Sequence, residues 1–285
     1  MKKKQFDRTI EDVGNIIGLE HLNLTVPSQE LATVFYVSGL GLTQDPFISV
    51  GRENMWANIG NQQFHLPTRP PQILRGSIGL VFPDLETLQQ RLELVKEPLS
   101  ETEFDFTVHK QHISVTGPWG NSFECHQSLD QSGQQQLGIQ CVNFVVPEGT
   151  ASGIAKFYET AMLAPTKLST LNRSLKATVS VGVNQWFTFQ EKPGIQPAYD
   201  GHHIAIYLAN FSRPHSFLKE RGLITEETNE HQYRFVDIID PDTSELLFKI
   251  EHEVRSLRHP MHGRTLINRN ANQNLRAYVQ GKDHF

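Results

Sequence analysis

Two stretches of this chain recur about 120 residues later, and that internal duplication constrains the fold more than any local propensity does. FYVSGLGL from Phe35 is answered by FYETAMLA from Phe157, and NQQFHLP from Asn61 by NQWFTFQ from Asn184, offsets of 122 and 123 residues. Each half divides again. GLEHLNLTV from Gly18 alternates Leu22, Leu24 and Val26 with His21, Asn23 and Thr25, the period of a half-buried strand. Ser28 then suits the N-cap of a helix through Leu31, Val34 and Phe35 that stops at Gly39. Strands follow near Phe47 to Val50, Met55 to Ile59 and Gln63 to Leu66. The order is β-α-β-β-β.

The same order returns from GSIGLVF at Gly76, with a helix over Asp84 to Val95 and a last strand at Ser122 to His126. A third unit opens on GIQCVNFVV at Gly138, and a fourth on HHIAIYL at His202, closing with SELLFKI at Ser244. Four units fill the chain. We expect domains at 1–130 and 137–253, each a pair of units, joined by the polar, Gly-containing linker near Asp130 to Gln136. The polar segment 254–285 carries Arg255, Arg258, Arg264, Arg269 and Arg276 without clear period, and reads as a tail that wraps a cleft or stays solvated.

Among 285 residues the formal charge is −5, which gives no basic face for nucleic acid or a membrane surface. No apolar run approaches the ~20 residues of a membrane span, and the lysine-rich start lacks an apolar signal segment, so a cytoplasmic protein is expected. Cys125 and Cys141 each sit in a strand-like run and read as free thiols.

The His on the polar face of the first strand, FYVSGLGL at Phe35 to Leu42, and GPWGNSFECH at Gly117 to His126 together resemble the vicinal oxygen chelate superfamily. That superfamily includes glyoxalase I, the extradiol ring-cleaving dioxygenases and the bleomycin-resistance proteins. The resemblance spans about residues 16 to 252 in all four units. It implies an α+β fold of four βαβββ modules pairing into two open, barrel-like clefts, with metal ligands on the first and last strand of each unit.

Carried onto this sequence, the resemblance gives the N-terminal cleft the positions His21, His65, Ser77 and Glu124. His21, His65 and Glu124 can bind a metal, and two imidazoles with one carboxylate suit Fe2+ first, with Mn2+, Ni2+ or Zn2+ also acceptable. The matching C-terminal positions, Cys141, Thr188, His203 and Leu247, are expected to be metal-free. Glu251 and His252 lie four and five residues past Leu247, so a slip of strand register would bring them into that cleft. Alternation places Trp56, Asn58, Ser77 and His112 on the cleft face as substrate-binding residues. His126, two residues beyond Glu124, is the candidate general acid or base. The function implied is a metal-dependent enzyme, dioxygenase-like first, acting on a small molecule that chelates through two neighbouring oxygens. The alternatives are a glyoxalase-like lyase or isomerase and a non-catalytic small-molecule-binding protein. Pairing of open sheets would also suit a homodimer.

Overall fold

The computed structural model describes residues 6–48, 52–128, 137–171, 174–194 and 196–269. The first unit contains β1 (Ile16–Asn23), helix α1 (Gln29–Ala32) running on as a π-helical stretch (Thr33–Gly39), β2 (Thr43–Gln44), β3 (Asn54–Ile59) and β4 (Gln62–Pro67). Ser28 caps α1 as its sequence suggests, its Oγ accepting from Leu31 N at 3.2 Å. The strand expected at Phe47 to Val50 falls earlier, at β2. There Asp45 Oδ1 accepts from the amides of Phe47 and Ile48 and turns the chain, while Ser49 and Val50 lie outside the described residues.

The second unit contains β5 (Gly76–Phe82), α2 (Leu85–Leu94), β6 (Asp105–Val108), β7 (His112–Thr116) and β8 (Ser122–Gln127). The third contains β9 (Gly138–Val146), α3 (Ala151–Phe157) with a π-helical stretch (Tyr158–Met162), β10 (Thr166–Leu171), β11 (Ser174–Gly182) and β12 (Gln185–Glu191). The fourth contains β13 (His203–Leu208), α4 (Ser212–Glu220), β14 (Ile224–Asn229), β15 (Gln232–Ile239) and β16 (Leu246–Ser256). The expected linker near Asp130 to Gln136 lies outside the described residues.

The units assemble into two eight-stranded sheets, β14-β15-β16-β13-β1-β4-β3-β2 and β10-β11-β12-β9-β5-β8-β7-β6. Unit one is joined to unit four, and unit two to unit three. This corrects the expectation that residues 1–130 and 137–253 each form a self-contained pair. Within every unit the opening strand lies parallel to the last strand, leaving its other edge open. All four opening strands carry the same alternation, so alternation cannot choose the partner. Backbone fit does. A Cβ on Gly76 would stand 1.7 Å from Asn143 O, so a residue without one lets β5 lie against β9. Asn15 ties the start of β1 to the end of β13, donating to Asn210 O at 3.0 Å and accepting from Asn210 N at 2.5 Å.

The apolar faces of both sheets meet in one core that encloses the helices of units one and three. Tyr36 packs on Phe64 of the first sheet at 5.2 Å between ring centroids, and its neighbour Phe35 on Phe123 of the second at 5.5 Å. The repeated pair Phe157 and Tyr158 bridges Phe235 and Phe189 in the same way. Cys125 is a buried free thiol and Cys141 a half-buried one. Among the described residues no helix is long and apolar enough to cross a membrane.

Both sheets break their alternation at one repeated place. The ladder between β1 and β13 shifts between Leu19 and His21, and that between β9 and β5 shifts between Ile139 and Cys141. The extra residue is Glu20 in one strand and Gln140 in the other. A glutamine from the opposite sheet then satisfies the amide beside each bulge. Leu19 N donates to Gln185 Oε1 and Ile139 N to Gln62 Oε1, each at 3.1 Å. Those glutamines are the Gln of the repeated NQQ and NQW, so the duplication seen in the sequence encodes a reciprocal stitch between the sheets.

Candidate metal centre

The bulge at Glu20 reorganises the polar face of β1. Leu19 and Leu22, three residues apart, are both buried in the core, so Glu20 and His21 between them are both released toward the polar face. Across that face Asn23 is aligned with His65 of β4 on one side and His203 of β13 on the other. His21, His65 and His203 thereby bring one ring nitrogen each within 4.8 Å of one another. His21 Nε2 and His203 Nε2 are 3.4 Å apart.

Each imidazole is held by its surroundings. His65 stacks on Trp56 at 4.0 Å and 14° between planes, and His21 meets the edge of the same indole at 5.0 Å. His65 Nε2 is buried with no hydrogen-bond partner, an arrangement that costs free energy unless something fills it. Burial and then the neighbouring His21 push His65 down to about 3. Burial, with His21 and Arg234 nearby, likewise holds His203 well below the usual imidazole range. Rings that stay neutral keep a lone pair free, which metal ligation requires.

A belt of acidic and basic side chains borders two of the rings. Glu20 Oε2 lies against His21 Nδ1 and accepts from Arg255 Nη1 at 2.9 Å. Arg255 Nη2 pairs with Glu253, Glu253 with Arg234, and Arg234 with Glu251. Glu251 Oε1 stands 3.5 Å from His203 Nδ1, closing the circuit. Burial alone would raise the Glu20 carboxyl, but His21 and Arg255 bring it down to about 2. Glu253 is 3% exposed, with Oε2 only 3.6 Å from His203 Nε2.

The expected triad of His21, His65 and Glu124 is not assembled. Glu124 lies on β8 in the other sheet, accepting from Ser114 Oγ at 2.9 Å with His112 Nε2 3.4 Å away. Ser77, His112 and His126 belong to that second sheet too, the latter two stacked at 5.4 Å. Ser77 joins Asn143 and Thr188 in a network of neutral polar groups beside Cys141. Of the other expected lining residues, Trp56 is beside the histidines. Asn58 donates to Ile267 O of the tail at 2.8 Å and accepts from Gln63 Nε2 at 2.6 Å.

The residue in the first sheet that answers Glu124 is Glu253, not Leu247: Gly79 is aligned with Glu124 as Ala205 is with Glu253. β16 is 11 residues long against six for β8, so matching the strands near their starts places the position too early, at Leu247 instead of Glu253. The buried His252 between Glu251 and Glu253 faces the core, where its Nε2 accepts from Tyr158 OH at 2.7 Å. His203 enters the site only because β13 lies beside β1. Glu20 was concealed by the bulge, for which the one signal is the apolar spacing of Leu19 and Leu22.

The tail crosses one end of this cleft. Arg264 pairs with the buried Asp45 at 2.6 Å, Asn268 exchanges two hydrogen bonds with Gly60, and Arg269 N donates to Thr43 Oγ1 at 2.7 Å. A cavity of about 700 Å³ remains beneath it, walled by Glu20, Tyr207, Met261, His262 and Leu266 among others. Residues 270–285 lie outside the described part.

No family model matches this sequence, and no curated protein matches it. Solved structures do match its fold. Glyoxalase I from Zea mays superposes with a TM-score of 0.60 at 14% identity, covering 88% of this chain and 95% of that one. A protein from Bacillus subtilis described as a putative dioxygenase superposes with a TM-score of 0.56 at 12% identity, covering 85% and 86%. The four βαβββ units thus share the fold of these glyoxalase- and dioxygenase-type structures, the fold that the sequence resemblance implied.

Proposed function

We propose that this chain is a divalent-metal-dependent enzyme whose site is the first sheet, with His21, His65 and His203 holding the ion. The observation that carries this reading is the convergence of three imidazoles, two of them held neutral, around a buried and unpartnered His65 Nε2. A divalent ion there supplies Lewis acidity and open coordination positions to a small substrate bearing two neighbouring oxygens. The chain's own groups do the rest. Trp56 fixes His65 and walls the site against water, and Glu20 and Glu251 stand behind His21 and His203.

His21, His65 and His203 would hold the ion through three imidazole donors, and an Fe2+ ion held there would supply dioxygenase chemistry to a two-oxygen chelate. Glu253 Oε2 accepts from Arg234, while the buried Oε1 is ion-paired with Arg255 but has no hydrogen-bond partner. The second reading is a glyoxalase-like isomerase or lyase with Glu253 as a fourth donor, and the 3.6 Å from Glu253 to His203 Nε2 favours it. Metal analysis of the purified protein tests the common premise. Stoichiometric metal that falls in His203→Ala and persists in Glu124→Gln is expected, whereas no metal, or metal indifferent to His203→Ala, would sink it. Oxygen uptake with catechol-like substrates, against isomerisation of hemithioacetals, then separates the two chemistries.

A further inference from the structure

Two of the three histidines share an arrangement that the third lacks. His21 and His203 turn Nε2 toward each other, and each has a glutamate on its Nδ1 side: Glu20 hydrogen-bonded to His21, Glu251 at 3.5 Å from His203. Each glutamate is anchored by its own arginine, Arg255 and Arg234, and both arginines grip Glu253. The two halves of this belt come from opposite ends of the chain, Glu20 and Arg255 being 235 residues apart. Glu20 is side by side with His21 only because the β1 bulge turns both residues to one face. His65 is steadied instead by stacking on Trp56.

We infer that Glu20 and Glu251 are positioning residues for the metal, each accepting Nδ1–H from its histidine so that Nε2 carries the free lone pair. The inference rests on the metal reading above. The physical reason is that an imidazole free to choose its tautomer ligates only in one form, and a carboxylate at Nδ1 removes the choice and increases the basicity of Nε2. The arginines hold the carboxylates in place, and Glu253 locks the arginines together. Three carboxylates and two guanidiniums give the belt a net charge near −1, which also suits a cation at its centre.

Co2+ is a suitable probe because its binding can be followed by absorbance without turnover. Glu20→Gln and Glu251→Gln are each expected to weaken Co2+ binding about 10- to 100-fold, and Glu124→Gln to leave it unchanged. Nitrogen-15 spectra of the metal-free protein supply a readout that general loosening would not move. His21 should be protonated at Nδ1 in the natural protein and should gain the Nε2-protonated form in Glu20→Leu. Natural protein that binds Co2+ while both Gln variants bind equally well would overturn the inference alone. Failure of the natural protein to bind Co2+ would remove the metal reading and this inference with it. A His21 tautomer unchanged in Glu20→Leu would overturn the role of Glu20 irrespective of binding.

Discussion

Replacing Gln185 by Leu tests whether the reciprocal stitch between the sheets holds the site in shape. The Gln185 side chain is 6% exposed, accepts from Leu19 N at 3.1 Å and donates to Ile139 O at 3.0 Å. Leucine fills much of the same volume but can do neither. A buried amide left without an acceptor costs about 1–3 kcal/mol, and the abandoned Ile139 carbonyl about 1 kcal/mol more. The added apolar burial returns about 1 kcal/mol, so a net loss of about 1–3 kcal/mol is expected. For a chain this long each kcal/mol lowers the melting temperature by about 2–4 °C. Thermal and urea midpoints measured together check it, provided the urea slope is unchanged. Because Leu19 adjoins the bulge that directs Glu20 and His21, Co2+ affinity should fall alongside stability. A loss under about 0.5 kcal/mol would refute the account of the stitch.

Tyr158→Phe removes the hydroxyl that donates to the buried His252 Nε2 and is expected to cost about 1–3 kcal/mol in a denaturant titration. Burial depresses His252 from its ordinary 6.5 to about 3. The unfolded chain therefore takes up this proton first, and stability that is complete above about pH 6.5 declines by up to about 1.4 kcal/mol per unit as pH falls toward about 3. His252→Phe should flatten that part of the pH profile. Arg264→Ala leaves the buried Asp45 without its guanidinium and should release the tail, read as faster proteolysis beyond Ser256 and loss of amide protection at Gly60. Unchanged protection at Gly60 would count against the tail being held by this pair.

Much of the first sheet's chemistry was legible from the chain alone. Duplication announced four like units, and alternation put His21 and His65 on a polar face opposite Leu22 and Phe64, where they stand. Periodicity specifies which face of a strand a residue occupies, because side chains alternate whatever the partner. It is silent on which strand comes to lie alongside. That choice was made by tertiary contacts, among them the bare Cα of Gly76 against Asn143 and the clamp of Asn15 on Asn210. It moved Glu124 out of the site and brought His203 in. A bulge also shifts the phase of alternation by one residue, which hid Glu20, and the unequal lengths of β8 and β16 hid Glu253. The sequence by itself determined the repeated unit, its buried face and two of the imidazoles. Only the folded chain decided the third imidazole and the ionic belt behind it, because these depend on residues more than 180 positions apart meeting across β1 and its neighbours.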